Sequence, residues 1–374
     1  MKKIIFKKLS NEILIFFLVS SLALTLIVWV IQAVNYLDIV TEDGHSYRVY
    51  FKHTVLSLPK LFSQLLPFVF FISVFYIINL YEENNQLLVY WTHGVTKKEF
   101  INKIIKFSLF YFTIQLILSV IIVPYTNNMS RSFIRSSTLD FFPNLIKPKK
   151  FIDTVEDLTI FIESKNKEGS YKNVILKDDS NVSVSQIIIA KNGKIVLKNG
   201  EKILLLNDGQ IIQTNTKKET TTFSFEETQF DLSKYSTKTT KFPKIQELET
   251  NKLINCTKSL LVNFEKVIAF KDLTCRKEFF NNLVQELFKR IYKPINIILL
   301  ALTASLLVLK SKNSHNYNLF KIIIFLIGVS LIIIPEILLN FTGTSYLNNL
   351  LFLLSPIFCF FIIYYYISLK IKFN

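Results

Sequence analysis

The stretch KNGKIVLKNGEKILLLNDGQ, Lys191 to Gln210, carries three closely spaced glycine dipeptides, Asn192-Gly193, Asn199-Gly200 and Asp208-Gly209. Each suits a tight two-residue hairpin, because Asn, Asp and Gly tolerate positive φ. Around them lie short runs rich in Ile, Val, Leu, Phe and Thr: LTIFIE, NVILK, SQIIIAK, KIVLK, KILLL, QIIQ and TTTFSF. Such runs between turn signals predict an antiparallel β domain, a meander within a sandwich, a jelly roll or an open barrel. From Leu253 to Glu286 the pattern turns helical.

Outward from this domain the chain becomes apolar on both sides. Half of the 374 residues are hydrophobic and the mean hydropathy is +0.35, values of a multi-span membrane protein rather than a soluble one. A bilayer-crossing helix needs about 20 mostly apolar residues. Six stretches qualify: Glu12–Val34, Val55–Leu80, Ile101–Val123, Ile291–Leu309, Leu319–Asn340 and Tyr346–Leu369. The expected organisation is residues 1–123 with three spans, 124–290 with the β domain and its helical return, and 291–374 with three more spans. The first span is too long, and lacks the small-residue cleavage site, to be a removable signal peptide.

The formal charge of +16 fits either nucleic-acid binding or basic membrane flanks, and position decides for the second. Lys2, Lys3, Lys7 and Lys8 precede span one; Lys97, Lys98, Lys103 and Lys106 follow span two; Lys310, Lys312 and Lys321 follow span four; Lys370 and Lys372 close the chain. The alternate loops are poorer, with Arg48 and Lys52 offset by Asp38, Glu42 and Asp43. The positive-inside rule then puts both termini in the cytoplasm and the β domain outside, which in a Gram-negative cell means the periplasm. Lys289, Arg290 and Lys293 stand at the outer start of span four, against that rule. Either a long translocated domain escapes the charge bias, or these cations meet anionic head groups or an anionic substrate.

Catalytic patterns are absent from the sequence. It holds no Walker A loop, GxGxxG, HExxH or GxSxG, and its histidines, His45, His53, His93 and His315, are scattered and expected at surfaces or interfaces. Cys256 and Cys275 both fall outside, where a disulfide and a free pair are equally open; Cys359 reads as packing in span six. Pro59 and Pro67 in LPKLFSQLLPFVFF are expected to kink or break span two. Glu336, after Pro335 in span five, is expected either to face a cavity or partner or to reach water at the outer interface.

Between spans two and three lies NNQLLVYWTHGVTKKEF, Asn84 to Phe100. Gln86, Leu87, Tyr90 and Trp91 fit a short amphipathic helix, placed at about residues 82–100, that Gly94 ends through positive φ. Thr96 and Glu99 have capping-box spacing for the next helix. Such a helix either docks on a partner or lies on lipid with Trp91 as its anchor.

In order and spacing these features resemble the LptF/LptG family, the permeases of the lipopolysaccharide export ABC transporter. The similarity lies in the three-domain-three layout, the proline-bracketed start of span two, the QLLVYWTHGVTKKEF loop and QELFKRIYKP, where Glu286, Arg290 and Pro294 match Glu-x-x-x-Arg-x-x-x-Pro. IIIAKNGKIV and FPKIQEL are closer to the LptF branch. Gln86 departs from the usual Glu, and VIQAVNYLD lacks the usual cations beyond span one. The resemblance implies a multi-pass α-helical membrane protein, six transmembrane helices in a 3+3 arrangement with an inserted periplasmic jelly-roll-like domain. It also implies a heterodimer with a sister permease (LptG or LptF), a cytoplasmic LptB ATPase dimer, LptC as partner and lipopolysaccharide as cargo. Gln86, Leu87, Tyr90, Trp91 and Gly94 would form the ATPase coupling element. No nucleic acid and no cofactor of its own are implied, ATP being used by the partner. Two rivals are a membrane-anchored sensor or assembly protein with a ligand-binding periplasmic domain, and a membrane glycosyl- or phospho-transferase. The first should carry a cytoplasmic signalling domain, the second clustered carboxylates or histidines, and the sequence has neither.

Overall fold

The computed structural model describes residues 2–41, 45–136, 148–155, 157–166, 170–181, 184–198, 201–215, 219–232, 244–262, 275 and 277–373. Its helices are α1 (Lys2–Asn35), α2 (Asp38–Thr41), α3 (Tyr47–Leu56), α4 (Leu58–Glu83), α5 (Gln86–Thr92), α6 (Lys97–Ile117), α7 (Val123–Ser136), α8 (Thr250–Val262), α9 (Phe280–Ile291), α10 (Asn296–Ser305), α11 (Tyr317–Leu339) and α12 (Tyr346–Phe373). Six helical stretches are long and apolar enough to cross a membrane: Lys2–Thr41, Tyr47–Glu83, Lys97–Ile134, Phe280–Leu309, Tyr317–Leu339 and Tyr346–Ile371. Each overlaps one expected span. The chain divides into two compact units, one of Met1–Val30, Ser57–Asn128 and Lys244–Asn374, the other of Ile31–Leu56 and Met129–Pro243.

In the helical unit, α10 is the centre. Every residue from Ile297 to Ser305 except Ile298 is buried, and α4, α6, α11 and α12 pack around it. A helix apolar on all sides must be enclosed. By contrast, α1, α11 and α12 keep exposed aliphatic faces, among them Leu22 and Ile31 on α1 and Ile322 and Leu326 on α11, as helices facing lipid or another apolar chain do.

The two prolines of α4, expected to kink or break the span, both lie within one helix. Pro59 lies in the first turn, where a missing N–H leaves no helical bond unmade. Pro67 is interior, yet the helix continues to Glu83. Its ring removes the bond to the carbonyl four residues back, Ser63, and the Gln115 side chain from α6 supplies the lost donor: Nε2 donates to Ser63 O at 3.0 Å and to its Oγ at 3.2 Å. In an apolar surrounding an unmet carbonyl costs several kcal/mol, so this repair is what lets the proline stay. Another irregularity, a π-helical turn at Leu118–Ile122, closes α6.

The second unit holds one six-stranded antiparallel sheet, β1 (Phe151–Val155), β2 (Leu158–Lys165), β3 (Ser170–Asn181), β4 (Val184–Lys198), β5 (Glu201–Asn215) and β6 (Thr220–Asp231), each paired with its chain neighbours. The expected β insertion is present as a meander, but two of its three hairpin dipeptides are not turns. Asn192-Gly193 lies within β4 and Asp208-Gly209 within β5, so SQIIIAK and KIVLK form one strand and KILLL and QIIQ another. Asn199-Gly200 lies outside the described residues, between Lys198 and Glu201, which pair with each other.

The misread dipeptides mark a crease. Glu163, Asn173, Lys191, Asp208 and Glu226 stand opposite one another on β2 to β6, flanked by paired positions on each side. Asn173 and Asp208 there have φ of 51° and 53°. Along this row two successive residues face outward: Lys172-Asn173 between buried Tyr171 and Val174, and Lys191-Asn192 between buried Ala190 and Gly193. The inward phase therefore flips and one face stays apolar on both sides of the crease, with Ile160, Ile162, Val174, Leu176, Leu204 and Leu206 fully enclosed. A Cβ at Gly209 would lie 2.4 Å from both Ile189 O and the Phe225 ring, so the glycine makes room for that ring. His45 is also unlike its expectation: it is buried, and burial pushes its imidazole below the usual histidine range.

Candidate functional site

Two polar constructions mark the two ends of the helical unit. At the lysine-rich end, α5 follows Asn85, which takes φ 58°. The helix is closed by a Schellman motif: Gly94 N donates to Trp91 O at 3.0 Å, Val95 N to Tyr90 O at 3.0 Å, and Gly94 has φ 70°. Thr96 then caps α6, its Oγ1 accepting from Glu99 N at 3.2 Å. The stop and the cap thus stand where the sequence puts them. Glu99 binds Lys2 Nζ at 3.1 Å, and Lys2 also donates to Gly94 O at 2.9 Å, tying the chain's start to this loop.

The facing of α5 differs from expectation. Leu87 and Tyr90 are buried in this chain, at 1% and 2% exposure. Tyr90 donates to Ile5 O at 3.1 Å, and its ring meets Phe6 and Phe100 edge-on at 5.5 and 5.2 Å. Each such ring pair adds about 0.5–1.5 kcal/mol beyond burial. Leu88 and Val89 are the apolar side chains presented outward, at 60% and 45% exposure, beside half-buried Gln86 and Trp91. The neighbouring Glu82 and Glu83 do not replace the family's glutamate. Glu82 Oε1 accepts from Lys312 N at 2.8 Å, and Glu83 pairs with Lys321 at 3.2 Å, holding the loop after α10.

At the opposite end a cavity of about 50 Å³ is lined by Lys60, Ser63, Gln64, Gln115, Lys289 and Arg290, among others. Arg290 is its floor and is not free to meet an outside anion. Its Nε donates to Glu286 Oε1 at 2.9 Å, Nη1 to Leu248 O at 2.8 Å and Thr250 Oγ1 at 3.0 Å, and Nη2 to Gln246 O at 3.1 Å. The knot extends to the π-helical turn. Ser119 Oγ donates to Arg290 O at 2.7 Å, and Thr250 Oγ1 donates to Val120 O at 2.6 Å. Gln285 adds bonds to Asn340 O and Thr342 O, at 3.1 and 3.0 Å. Cys256 and Cys275 are joined as a disulfide beside buried Leu253 and Leu283.

Lys293 pairs with Glu336, which answers the question of that carboxylate's partner. Besides the matched Arg290 and Lys293, two cations line this cleft: Lys289, 3.9 Å from the Glu286 that Arg290 also holds, and Lys60, which makes no ion pair among the described residues. Lys60 was not singled out from the sequence; its signal is a lone lysine inside the LPKLF run. The structure therefore brings Lys289, Arg290, Lys293 and Glu336 to one end and Gln86, Leu87, Tyr90, Trp91 and Gly94 to the other. Among the described residues no group of three or more His, Cys, Asp or Glu could hold a metal.

Six apolar helices with an inserted antiparallel sheet and polar clusters at both helix ends give the architecture of a multi-pass membrane protein. Residues 8–370 match the family described as lipopolysaccharide export system permease LptF/LptG, and the chain belongs to that family. It is an inner-membrane family of transporters, not of catalysts. A Rickettsia prowazekii (strain Madrid E) protein described as "Uncharacterized protein RP871" is 24% identical over 245 residues, 66% of each chain. The match thus spans just under two thirds of either protein.

Proposed function

We propose that this chain is a permease subunit, of the LptF branch, in an ABC transporter that takes lipopolysaccharide from the outer leaflet of the inner membrane and passes it to a periplasmic bridge. Both termini lie in the cytoplasm and the sheet in the periplasm. The lysine-rich end supports this orientation, since the cytoplasmic loops of membrane proteins carry the excess of Lys and Arg. The partners are a sister permease, an LptB dimer that hydrolyses ATP, and LptC. The chain itself needs no cofactor.

The observation that carries the reading is the cleft at the opposite end. Lys60 and Lys289 face one polar recess at the edge of an apolar helical wall. A phosphorylated glycolipid has the matching form, anionic groups at the head and acyl chains below, and ammonium groups hold phosphate by charge-assisted bonds. Exposed aliphatic faces on α1 and α11 suit the acyl chains or the sister permease. At the other end, α5 presents Leu88 and Val89 to the ATPase, while Leu87 and Tyr90 anchor it to its own chain so that force passes directly into α1 and α6.

The test is lipopolysaccharide retention by the purified assembly with Lys60 and Lys289 both changed to Glu. A loss of tenfold or more is expected. Unchanged retention, in an assembly that still hydrolyses ATP, sinks the head-group reading.

A further inference from the structure

We propose that a second cavity, between the start of α6 and the last turns of α12, binds an anionic glycerophospholipid, its phosphate at Lys98 and an acyl chain along Leu369 and Ile371. The cavity measures about 450 Å³ and is lined by Lys98, Ile101, Asn102, Tyr364, Ile367 and Ser368, among others. That size lies in the range of built small-molecule sites. It is nine times the volume of the cleft described above and lies at the other end of the helical unit.

Its polarity is graded. Leu369, 37% exposed, and half-buried Ile371 offer it apolar surface, Ile101 and Ile367 themselves being buried, while Lys98 and Asn102 are exposed at the rim. Ser368 turns its hydroxyl back to its own helix, donating to Tyr365 O at 2.8 Å, and so offers the cavity no hydrogen. Neither Lys98 nor Asn102 has a hydrogen-bond or ion-pair partner among the described residues. Their neighbours are occupied: Lys97 donates to Leu309 O at 3.3 Å, Glu99 holds Lys2 and Lys103 lies over the Phe6 ring. Lys98 also stands in the first turn of a 21-residue helix, whose positive end adds to its field. A free cation and a free amide at the rim of an apolar slot, at the level where helices leave the hydrocarbon, fit a phosphate, a glycerol and one acyl chain. An acidic peptide would match the lysine but leave the slot empty. A zwitterionic lipid would fill the slot but bring its own ammonium to the lysine.

The binding rests on this geometry alone. That the lipid belongs to the cytoplasmic leaflet rests on the orientation proposed above. Native mass spectrometry of the full chain, incubated with equal phosphatidylglycerol and phosphatidylethanolamine, tests the binding. Phosphatidylglycerol should be retained preferentially. Lys98→Gln should lower that preference about fivefold, the equivalent of about 1 kcal/mol for one lysine at an anionic surface. Ser368→Trp should fill the slot and remove the adduct. Lys98→Gln changes only an exposed side chain, so it decides the matter even if Ser368→Trp does not fold. Equal retention of the two lipids by the unaltered chain overturns the proposal, as does an adduct that Lys98→Gln leaves unchanged. A photo-crosslinker at Asn102 that captures a polypeptide in place of lipid, in native membranes, overturns it too. The spectrometric measurement uses neither nucleotide nor lipopolysaccharide, so its failure would leave the export reading standing, and the reverse holds.

Discussion

The Arg290 guanidinium donates to the Glu286 carboxylate one helical turn behind it, Nε to Oε1 at 2.9 Å, and spends three further N–H groups on Gln246, Leu248 and Thr250. The pair joins α9 to the chain that returns from the sheet. The Arg290 side chain is 3% exposed and that of Glu286 16%. Arg290→Ala should cost about 3–5 kcal/mol, the usual penalty for leaving half of a buried ion pair. Arg290→Lys should recover little of it, because a single ammonium cannot reproduce the planar fork. Thermal unfolding of the purified chain measures both. Lys289→Gln, altering a side chain 37% exposed, serves as the control and should shift the midpoint little.

The coupling role proposed for α5 gives a prediction with two faces. Leu88→Asp with Val89→Asp should abolish ATPase association and leave the chain's stability unchanged, since apolar anchors lost from a pocket are worth about 2 kcal/mol or more each. Leu87→Ala should do the reverse, costing about 2–5 kcal/mol of stability as a core truncation. Co-purification and melting curves on the same variants separate the two. Association lost with Leu87→Ala at full stability would show the helix facing the other way.

Gly94 is required for its φ of 70°, and nothing lies within 4 Å of where its Cβ would stand. The cost of Gly94→Ala should therefore be conformational strain alone, about 1 kcal/mol. Gly94→Asn should cost less than Gly94→Ala, because Asn tolerates this region. A clash would instead make the larger Asn worse than Ala, so the order of the two midpoints is the readout.

The disulfide between Cys256 and Cys275 links positions 19 apart in sequence. Loop-closure entropy for that span corresponds to about 3 kcal/mol. Cys256→Ser should lower stability by roughly that amount, and alkylation of the unfolded, unreduced chain should find one thiol, Cys359, out of three cysteines. Three reactive thiols in protein taken from an oxidising compartment would count against the bond.

Topology is open to direct measurement. Cysteines placed at Lys97 and Lys370 should resist a membrane-impermeant thiol reagent in intact spheroplasts, while one at exposed Asn207 should react. The opposite pattern would turn the protein over and remove the transport reading with it.

What could be read from the sequence was whatever composition alone decides. The six spans are runs of apolar residues, and no tertiary contact is needed to see them. The stop at Gly94 and the cap at Thr96 are equally local, each settled within about one helical turn. The hairpins were misplaced because Asn192-Gly193 and Asp208-Gly209 have the chemistry of turns but occupy a crease in long strands. Only the pairing of Asn173, Lys191 and Asp208 across three strands reveals that. The inward face of α5 was hidden for a like reason. A seven-residue helix with five apolar residues in a row has no unambiguous stripe, and the groove that selects Leu87 and Tyr90 is built by α1, 85 residues earlier in the case of Ile5. Arg290 looked available because three of its partners are two carbonyls and a hydroxyl some 40 to 44 positions away. Backbone acceptors leave no mark in a sequence.

Pro67 and Gln115 should be linked in descent. A lineage that replaces the proline restores an N–H to the Ser63 carbonyl, which then no longer depends on the glutamine amide. A lineage that replaces the glutamine strands the carbonyl in hydrocarbon. Loss of the glutamine while the proline stays should therefore be rare among descendants of a common ancestor, whereas the glutamine should vary freely once the proline has gone.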